Sequence, residues 1–243
     1  MNERLAVVVP FYNEPGINRT LEGLYLQSYR SAVTHYLVDN GSTDDSREVV
    51  EKFAHDHTDF PLKIVEEDQK GTGVAVDTGF TAAIDDGCSW IARTDADTVP
   101  CRSWTGAITE GFTSHSDVRL IGGRTLALQD EDFRLGDNFL LPASIVAAQV
   151  VLSLRHLDPD FLSVVNGANM ATTAQTYTEV GGFRRTSIDE LDEDIEYSLA
   201  VIKRFGRSTV LKEPSAKVYT SMRRIREYGL TGTAMHHLFP AAS

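Results

Sequence analysis

Apolar positions in the first hundred residues come as short unbroken runs separated by helical stripes. Leu5-Ala-Val-Val-Val9 has no polar interruption, as a strand covered on both faces requires, and it ends at Pro10. Ile17, Leu21 and Leu24 then recur at helical spacing. His35-Tyr-Leu-Val38 predicts a second strand, which runs into the turn-forming Asp39-Asn-Gly-Ser-Thr-Asp44. Ser42, with Asp45 three residues on, resembles a capping box and predicts a helix starting there, with Val49, Val50 and Phe53 as its apolar face. Leu62–Val65 predicts a third strand. Gly71 and Gly73 then precede a helix with Val76, Phe80, Ala83 and Ile84 on one side. Ser89–Arg93 predicts a fourth strand, ending at Thr94-Asp-Ala-Asp97, and a further helix follows Pro100.

This alternation predicts an α/β fold with a largely parallel, doubly wound sheet. Ligands of such sheets lie outside the carboxyl ends of the strands, where Asn13, Glu14, Asp39 and Asp95 to Asp97 all fall. The second half is less regular. Val118–Ala127 predicts a strand, Pro142–Leu157 a helix, and Glu193–Phe205 a helix with Ile195, Leu199 and Ile202 inward and Gly206 at its end. Ser208–Leu211 and Lys217–Thr220 predict short strands around Pro214. No linker or repeat interrupts the chain, so a single domain is expected.

Composition narrows the function. The 243 residues carry a formal charge of −12, which argues against nucleic-acid binding through bulk charge. The charge is uneven: Asp189–Glu196 holds six acids in eight residues, while Lys203–Arg226 holds eight basic residues and one acid, Glu213. Such a pairing suits a metal with a polyphosphate, and it equally suits solvated helix faces. The longest apolar stretch, Leu140–Leu154, is cut by Pro142, Gln149 and Ser153, so no transmembrane segment is expected. The helix there is expected to be core. Met1-Asn2-Glu3-Arg4 begins no apolar signal core, and Cys88 and Cys101 lack metal-binding spacing. Both features suit a cytoplasmic location, at most peripheral to a membrane.

Five groups could carry chemistry. Asp95 and Asp97, one residue apart at a strand end, could share a hard divalent cation, or could form an acidic surface turn. Asp39 could accept hydrogen bonds from a base or ribose, or close an Asx turn. Glu193-Asp194 opens a helix, either as a cap or as a general base facing the cleft. Lys70 with Gly71 and Gly73 could offer backbone N–H groups to phosphate, although the dinucleotide fingerprint is incomplete. Arg223, Arg224 and Arg226 could bind phosphate oxygens, or form a basic turn. His236-His237 is a weaker metal candidate, since adjacent strand residues face opposite sides. Asp95-Ala-Asp-Thr-Val99 also fits the pattern of aspartate-nucleophile phosphohydrolases, which gives a rival reading with Asp95 and Asp97 as the reacting pair.

Taken in order, these segments resemble family 2 of the nucleotide-sugar glycosyltransferases, which have the GT-A fold. The matching stretches are Val7–Glu14, Leu37–Asp44, Lys70–Gly79, Thr94–Asp97, Asn166-Gly-Ala-Asn169 with Gly181-Gly-Phe183, and Glu193-Asp194. Thr220–Arg224 resembles the tail of some members. The resemblance implies a nucleotide-binding half over about 1–115 and an acceptor-binding half over about 116–243. It implies that Pro10, Tyr12, Glu14, Asp39, Lys70, Gly73, Asp95 and Ala96 line the donor pocket, with Asp39 reading the base and Asp95 facing the ribose. It implies that Asp97 ligates Mn2+ or Mg2+, and that Arg223 and Arg224 meet the diphosphate. Asn166, Gly167, Ala168, Asn169 and Gly182 would shape the sugar and acceptor side, and Asp194, beside Glu193, would be the base. The reaction implied is inverting hexosyl transfer from a UDP- or GDP-sugar to a sugar, lipid-linked or small-molecule acceptor. Two positions depart from the family pattern: Asp77 stands where asparagine is frequent, and Asn40 where a second aspartate is. No late histidine is evident for the metal; Thr220 and Ser221 occupy its place.

Overall fold

The computed structural model describes residues 3–183, 193–223 and 226. In chain order the elements are β1 (Leu5–Phe11), α1 (Ile17–Tyr25), β2 (Val33–Asp39), α2 (Ser46–Asp56), β3 (Leu62–Glu66), α3 (Thr72–Asp85) and β4 (Trp90–Thr94). There follow β5 (Thr98–Pro100), α4 (Trp104–Ser114), β6 (Leu120–Ala127), α5 (Asp137–His156), β7 (Asn169–Thr173), α6 (Ala174–Val180), α7 (Glu193–Phe205) and β8 (Val210–Thr220). All eight strands form one sheet in the order β3-β2-β1-β4-β7-β6-β8-β5. This is a mixed α/β architecture built on one eight-stranded sheet.

The two-residue period of the strands sorts the core. Leu5, Val7, Val9 and Phe11 of β1 face one layer, with Ile17, Leu21 and Leu24 of α1, Val50 and Phe53 of α2, and Trp104 and Ile108 of α4. Ala6 and Val8 face the other, with Val76 and Phe80 of α3, Tyr177 of α6 and Tyr197 and Val201 of α7. Helices therefore cover both faces, which is why the runs in β1 and β2 are continuously apolar. Pro10 is tolerated inside β1 because pairing with β4 ends at Val8, leaving its missing N–H on a side without a ladder.

The parallel expectation holds for the first half, where β1 pairs with β2 and β4, and β2 with β3. In the second half β7 runs antiparallel between β4 and β6, and β5 runs antiparallel to β8. These reversals set the site. Thr94 pairs with Asn169, so the turn entering β7 lies at the end where β4 leaves the sheet. Thr98 pairs with Thr220, which brings the exit of β8 to the same place.

Two helices differ from expectation. In α7 the buried face is Glu193, Tyr197, Ser198, Val201 and Ile202, with Ile195 and Leu199 half-buried. The larger correction is α5. It extends over 20 residues, passes through Pro142, and is long and apolar enough by composition to cross a membrane. Only 17% of its apolar window is buried in the protein. Leu141 and Leu152 are inward, whereas Phe139, Leu140, Val146, Val150, Val151 and Leu154 are exposed. The helix expected to be core thus presents an apolar face outward. Apolar periodicity reports that a helix is apolar, and not what covers it.

Candidate active site

The carboxyl ends of β1, β2 and β4 lie side by side, and the loops leaving them build one wall. Asn13 adopts a left-handed conformation (φ 48°), and its Oδ1 accepts from the N–H groups of Thr43 and Asp44. Ser42 is not a capping residue, since its hydroxyl accepts from the Asn13 N–H and α2 begins only at Ser46. Asp39 is buried; one carboxylate oxygen accepts from the Ser42 N–H at 2.8 Å, and Arg47 lies 3.5 Å from the other. Asp39 thus closes its turn through the third residue on, one beyond an Asx turn. Asn40 ties the 67–71 loop to this wall, donating to the carbonyls of Glu67 and Gln69 and accepting from the Gly71 N–H. That last bond uses an N–H that the sequence reading offered to phosphate. Lys70 donates to the carbonyls of Asn40 and Gly41 and lies 3.9 Å from the centre of the half-exposed Tyr12 ring. Gly73 is buried within α3, and Ala96 is buried with its carbonyl accepting from Thr20 Oγ1.

The second wall comes from the half with reversed strands. It meets the first wall at Asp95 and Asp97, which lie in the loop leaving β4 and are both half-buried. The Arg93 guanidinium, 4% exposed, lies 3.4 Å from Asp95 Oδ1 and donates to Glu193 Oε1 at 3.0 Å. Burial works against its charge, but the carboxylates of Asp95, Glu193 and Asp194 outweigh it and hold the group protonated. Glu193 is buried. Asp194 is half-buried, its Oδ2 accepting from the Gly167 N–H at 2.6 Å and its Oδ1 from the Ile195 N–H. In this turn Asn166 is exposed and Ala168 half-buried, its N–H donating to Asn166 Oδ1. Asn169 does not belong to the cleft. Its side chain is 1% exposed, accepting from the Trp104 indole and donating to the Ala216 carbonyl. Gly182, left-handed at φ 73°, sits where a Cβ would lie 3.1 Å from Asp77 and Tyr177. Asp77 accepts from the Tyr177 hydroxyl, which in turn accepts from the Phe183 N–H, so this departure from the family pattern holds the 181–183 turn.

The exit of β8 closes the site. The Ser221 N–H donates to the Asp97 carbonyl, and its hydroxyl to Asp130. Arg223 binds both carboxylate oxygens of the buried Glu14, whose Oε1 also accepts from the Gly16 N–H. Hydrogen bonding to Glu14, with the nearby charges of Asp97 and Asp132, holds Arg223 charged. Arg226 pairs with Asp137 at the start of α5. Arg224, His236 and His237 lie outside the described residues.

The model of "Glycosyl transferase family 2" matches residues 6–142, more than half of the chain. The chain belongs to this family. The match takes in the first wall and the Asp95–Asp97 segment, while the 166–168 turn and α7 lie beyond it. Glycosyltransferase AglE of Haloferax volcanii is 28% identical over 123 residues, 49% of this chain and 38% of that protein. Among solved structures, the mannosyltransferase PcManGT of Pyrobaculum calidifontis, in complex with GDP-Man and Mn2+, superimposes with a TM-score of 0.66 at 20% identity. It covers all of this chain and 66% of its own. Glucosyl-3-phosphoglycerate synthase of Mycobacterium tuberculosis, with Mn2+, UDP and glucosyl-3-phosphoglycerate, gives 0.70 at 15% identity over 98% of this chain and 79% of its own. The chain therefore spans well under half of the curated relative and about two thirds of the first structure. Family membership removes the phosphohydrolase reading of Asp95 and Asp97.

Three residues escaped the sequence reading: Arg93, Asn13 as a turn cap, and Asn40 as a clamp. Arg93 alone left a signal, a guanidinium inside an otherwise apolar buried strand, which requires buried partners.

Proposed function

We propose that this chain transfers a hexosyl group from a UDP- or GDP-linked sugar to an acceptor hydroxyl, with inversion and with Asp194 as general base. The observation that supports this best is that the DxD segment, Asp95 to Asp97, and the Glu193-Asp194 pair meet at one sheet end, joined through Arg93. Asp194 suits the role of base better than Glu193, which is buried against Arg93. In this reading residues up to about 115 hold the nucleotide, with Pro10, Tyr12, Glu14 and Asp39 around the base and Asp95 at the ribose. The remainder holds the acceptor, with Asn166 to Ala168 and Gly182 at the sugar side.

Among the described residues no three His, Cys, Asp or Glu side chains are grouped to hold a metal. A caged ion does not fit them. Asp97 supplies hard oxygen donors, and this fits Mn2+ or Mg2+ held by a protein carboxylate together with diphosphate oxygens and water. An ion so bound would neutralise charge on the departing diphosphate. The protein's own part is to hold the donor in the first wall, offer Arg223 to the leaving group, and take the acceptor proton on Asp194 as the hydroxyl attacks the anomeric carbon. Cytoplasmic location, peripheral to a membrane, belongs to the same reading, supported by two free thiols and the outward apolar face of α5.

The test is a thermal-shift series with UDP, GDP, dTDP and CDP, each with Mn2+, Mg2+ or EDTA. A ligand at 100 times its dissociation constant adds about 2.7 kcal/mol to stability. One diphosphate should shift the transition in the presence of metal, and Asp97→Ala should abolish that shift. No shift with any diphosphate would refute the reading.

A further inference from the structure

We propose that Arg93 is the positioning residue of this site, holding the acceptor-side base in register with the donor-side carboxylate. The inference rests on the transferase reading and adds to it a residue outside every recognised motif. The guanidinium touches both walls at once: Nη1 meets Glu193 at the start of α7, while Nε and Nη2 face Asp95 at the end of β4. The turn carrying Gly167 lies directly against it. A Cβ at Gly167 would fall 2.8 Å from Cζ and Nη1 of Arg93, so only glycine allows this approach. The N–H of the same glycine donates to Asp194. The Phe183 ring lies 5.9 Å from Cζ. The end of β4, the 166–168 turn, the start of α7 and the 181–183 turn are thus all in reach of one buried cation.

Arg93 acts through Asp194 rather than on substrate. A guanidinium is a rigid fork, so bonding Glu193 on one arm and Asp95 on the other fixes the spacing of the two elements. Asp194 follows Glu193 and is held from the other side by Gly167. A general base works only within hydrogen-bond reach of the proton it takes, and a misplacement of about 1 Å costs on the order of a hundredfold. Without the cation, Asp95 and Glu193 lose their shared partner and the base loses its reference to the donor.

The experiment compares wild type, Arg93→Lys and Arg93→Gln as hydrolases of UDP-glucose and GDP-mannose with Mn2+, water standing in for the acceptor. The anomeric carbon loses its bond to the diphosphate and gains one to the water oxygen. The water proton passes to Asp194, and free sugar and nucleoside diphosphate are released. Arg93→Gln should lower kcat about a hundredfold and Arg93→Lys, which keeps the charge but not the fork, about tenfold. Donor KM and the Kd for UDP or GDP should stay within about threefold of wild type. A general loss of structure would move all three quantities together. Should Arg93→Gln not fold, the Lys variant carries the same test through its kcat-to-KM split. An unchanged kcat in a variant beside an active wild type overturns the role of Arg93 alone, as does a fall in affinity matching the fall in kcat. A wild type that neither binds a diphosphate nor consumes a donor overturns the transferase reading, and this role with it.

Discussion

Asn169 and Asp39 show how one residue type serves either chemistry or architecture according to what surrounds it. In the sequence Asn169 closes an Asn-Gly-Ala-Asn turn and reads as part of the acceptor wall. In the structure it is the first residue of β7, and its amide links the Trp104 indole to the Ala216 carbonyl inside the core. An alanine there leaves two buried polar groups unpaired, at about 1–3 kcal/mol each. Asn169→Ala should therefore lower the denaturation midpoint clearly, while the folded fraction binds nucleoside diphosphate with wild-type affinity, as calorimetry on the folded protein would show. A large affinity loss at unchanged stability would return Asn169 to the cleft. Asp39 differs, because one oxygen closes the Ser42 turn and the second lies 3.5 Å from Arg47. His35 carries a titration of its own. Buried against Phe60, with its Nδ1 beside the Pro61 carbonyl, it has a pKa lowered to about 3, burial being the main cause. The unfolded state takes up the proton near 6.5 and the folded state only near 3, so this site's contribution is complete above 6.5 and is lost as pH falls toward 3. The slope is at most about 1.4 kcal/mol per pH unit. Replacing His35 with phenylalanine should flatten the stability profile in that window, read by denaturant melts at pH 7, 5 and 4.

At the scale of elements, the first half was legible because its central strands β1, β2 and β4 are covered on both faces. Continuous apolar runs such as Leu5–Val9 leave no rival assignment, and helical stripes between them give the winding. The second half was less legible because β7 enters the sheet reversed, while β6 and β8 stay parallel to each other. Nothing in Asn169–Thr173 announces that it runs antiparallel between β4 and β6, yet that reversal places the 166–168 turn beside Asp95. Arg93 was hard to place for a related reason, since its partner Glu193 lies a hundred residues away across that reversal. Helix α5 marks the clearest limit of the sequence pattern. Phe139, Val146, Val150 and Leu154 are as apolar as the core residues of α1, but they are exposed. Val150→Glu and Leu154→Glu should each leave the melting temperature within about 2 °C of wild type, because surface substitutions cost about 0.5 kcal/mol or less. Leu21→Glu in α1, at a fully buried position, should prevent folding. Destabilisation by the α5 variants equal to that of Leu21→Glu would mean that the outward face is covered in the folded protein.

At the scale of the whole molecule, the Glu14–Arg223 ion pair ties the two ends of the chain together at the first wall of the site. Glu14 leaves the first strand and Arg223 follows the last, 209 residues later in sequence, and the two guanidinium arms span the carboxylate. The role proposed for Arg223, meeting a diphosphate, competes with this pair. Glu14 is nearly buried and Arg223 is 38% exposed, so the pair is worth about 1 kcal/mol or less after solvent screening. Diphosphate oxygens offer Arg223 the same bidentate geometry with more charge, so the exchange is favourable once donor is bound. Glu14→Gln keeps an oxygen for the Gly16 N–H but removes the competing charge. It should tighten binding of nucleoside diphosphate by up to about fivefold, whereas Arg223→Ala should weaken it. Titration calorimetry at low and high salt separates the outcomes, because the gain in the Gln variant is electrostatic and shrinks as ionic strength rises. Equal losses in both variants would mean that Glu14 and Arg223 bind the nucleotide as one unit, and that the pair is retained in the complex.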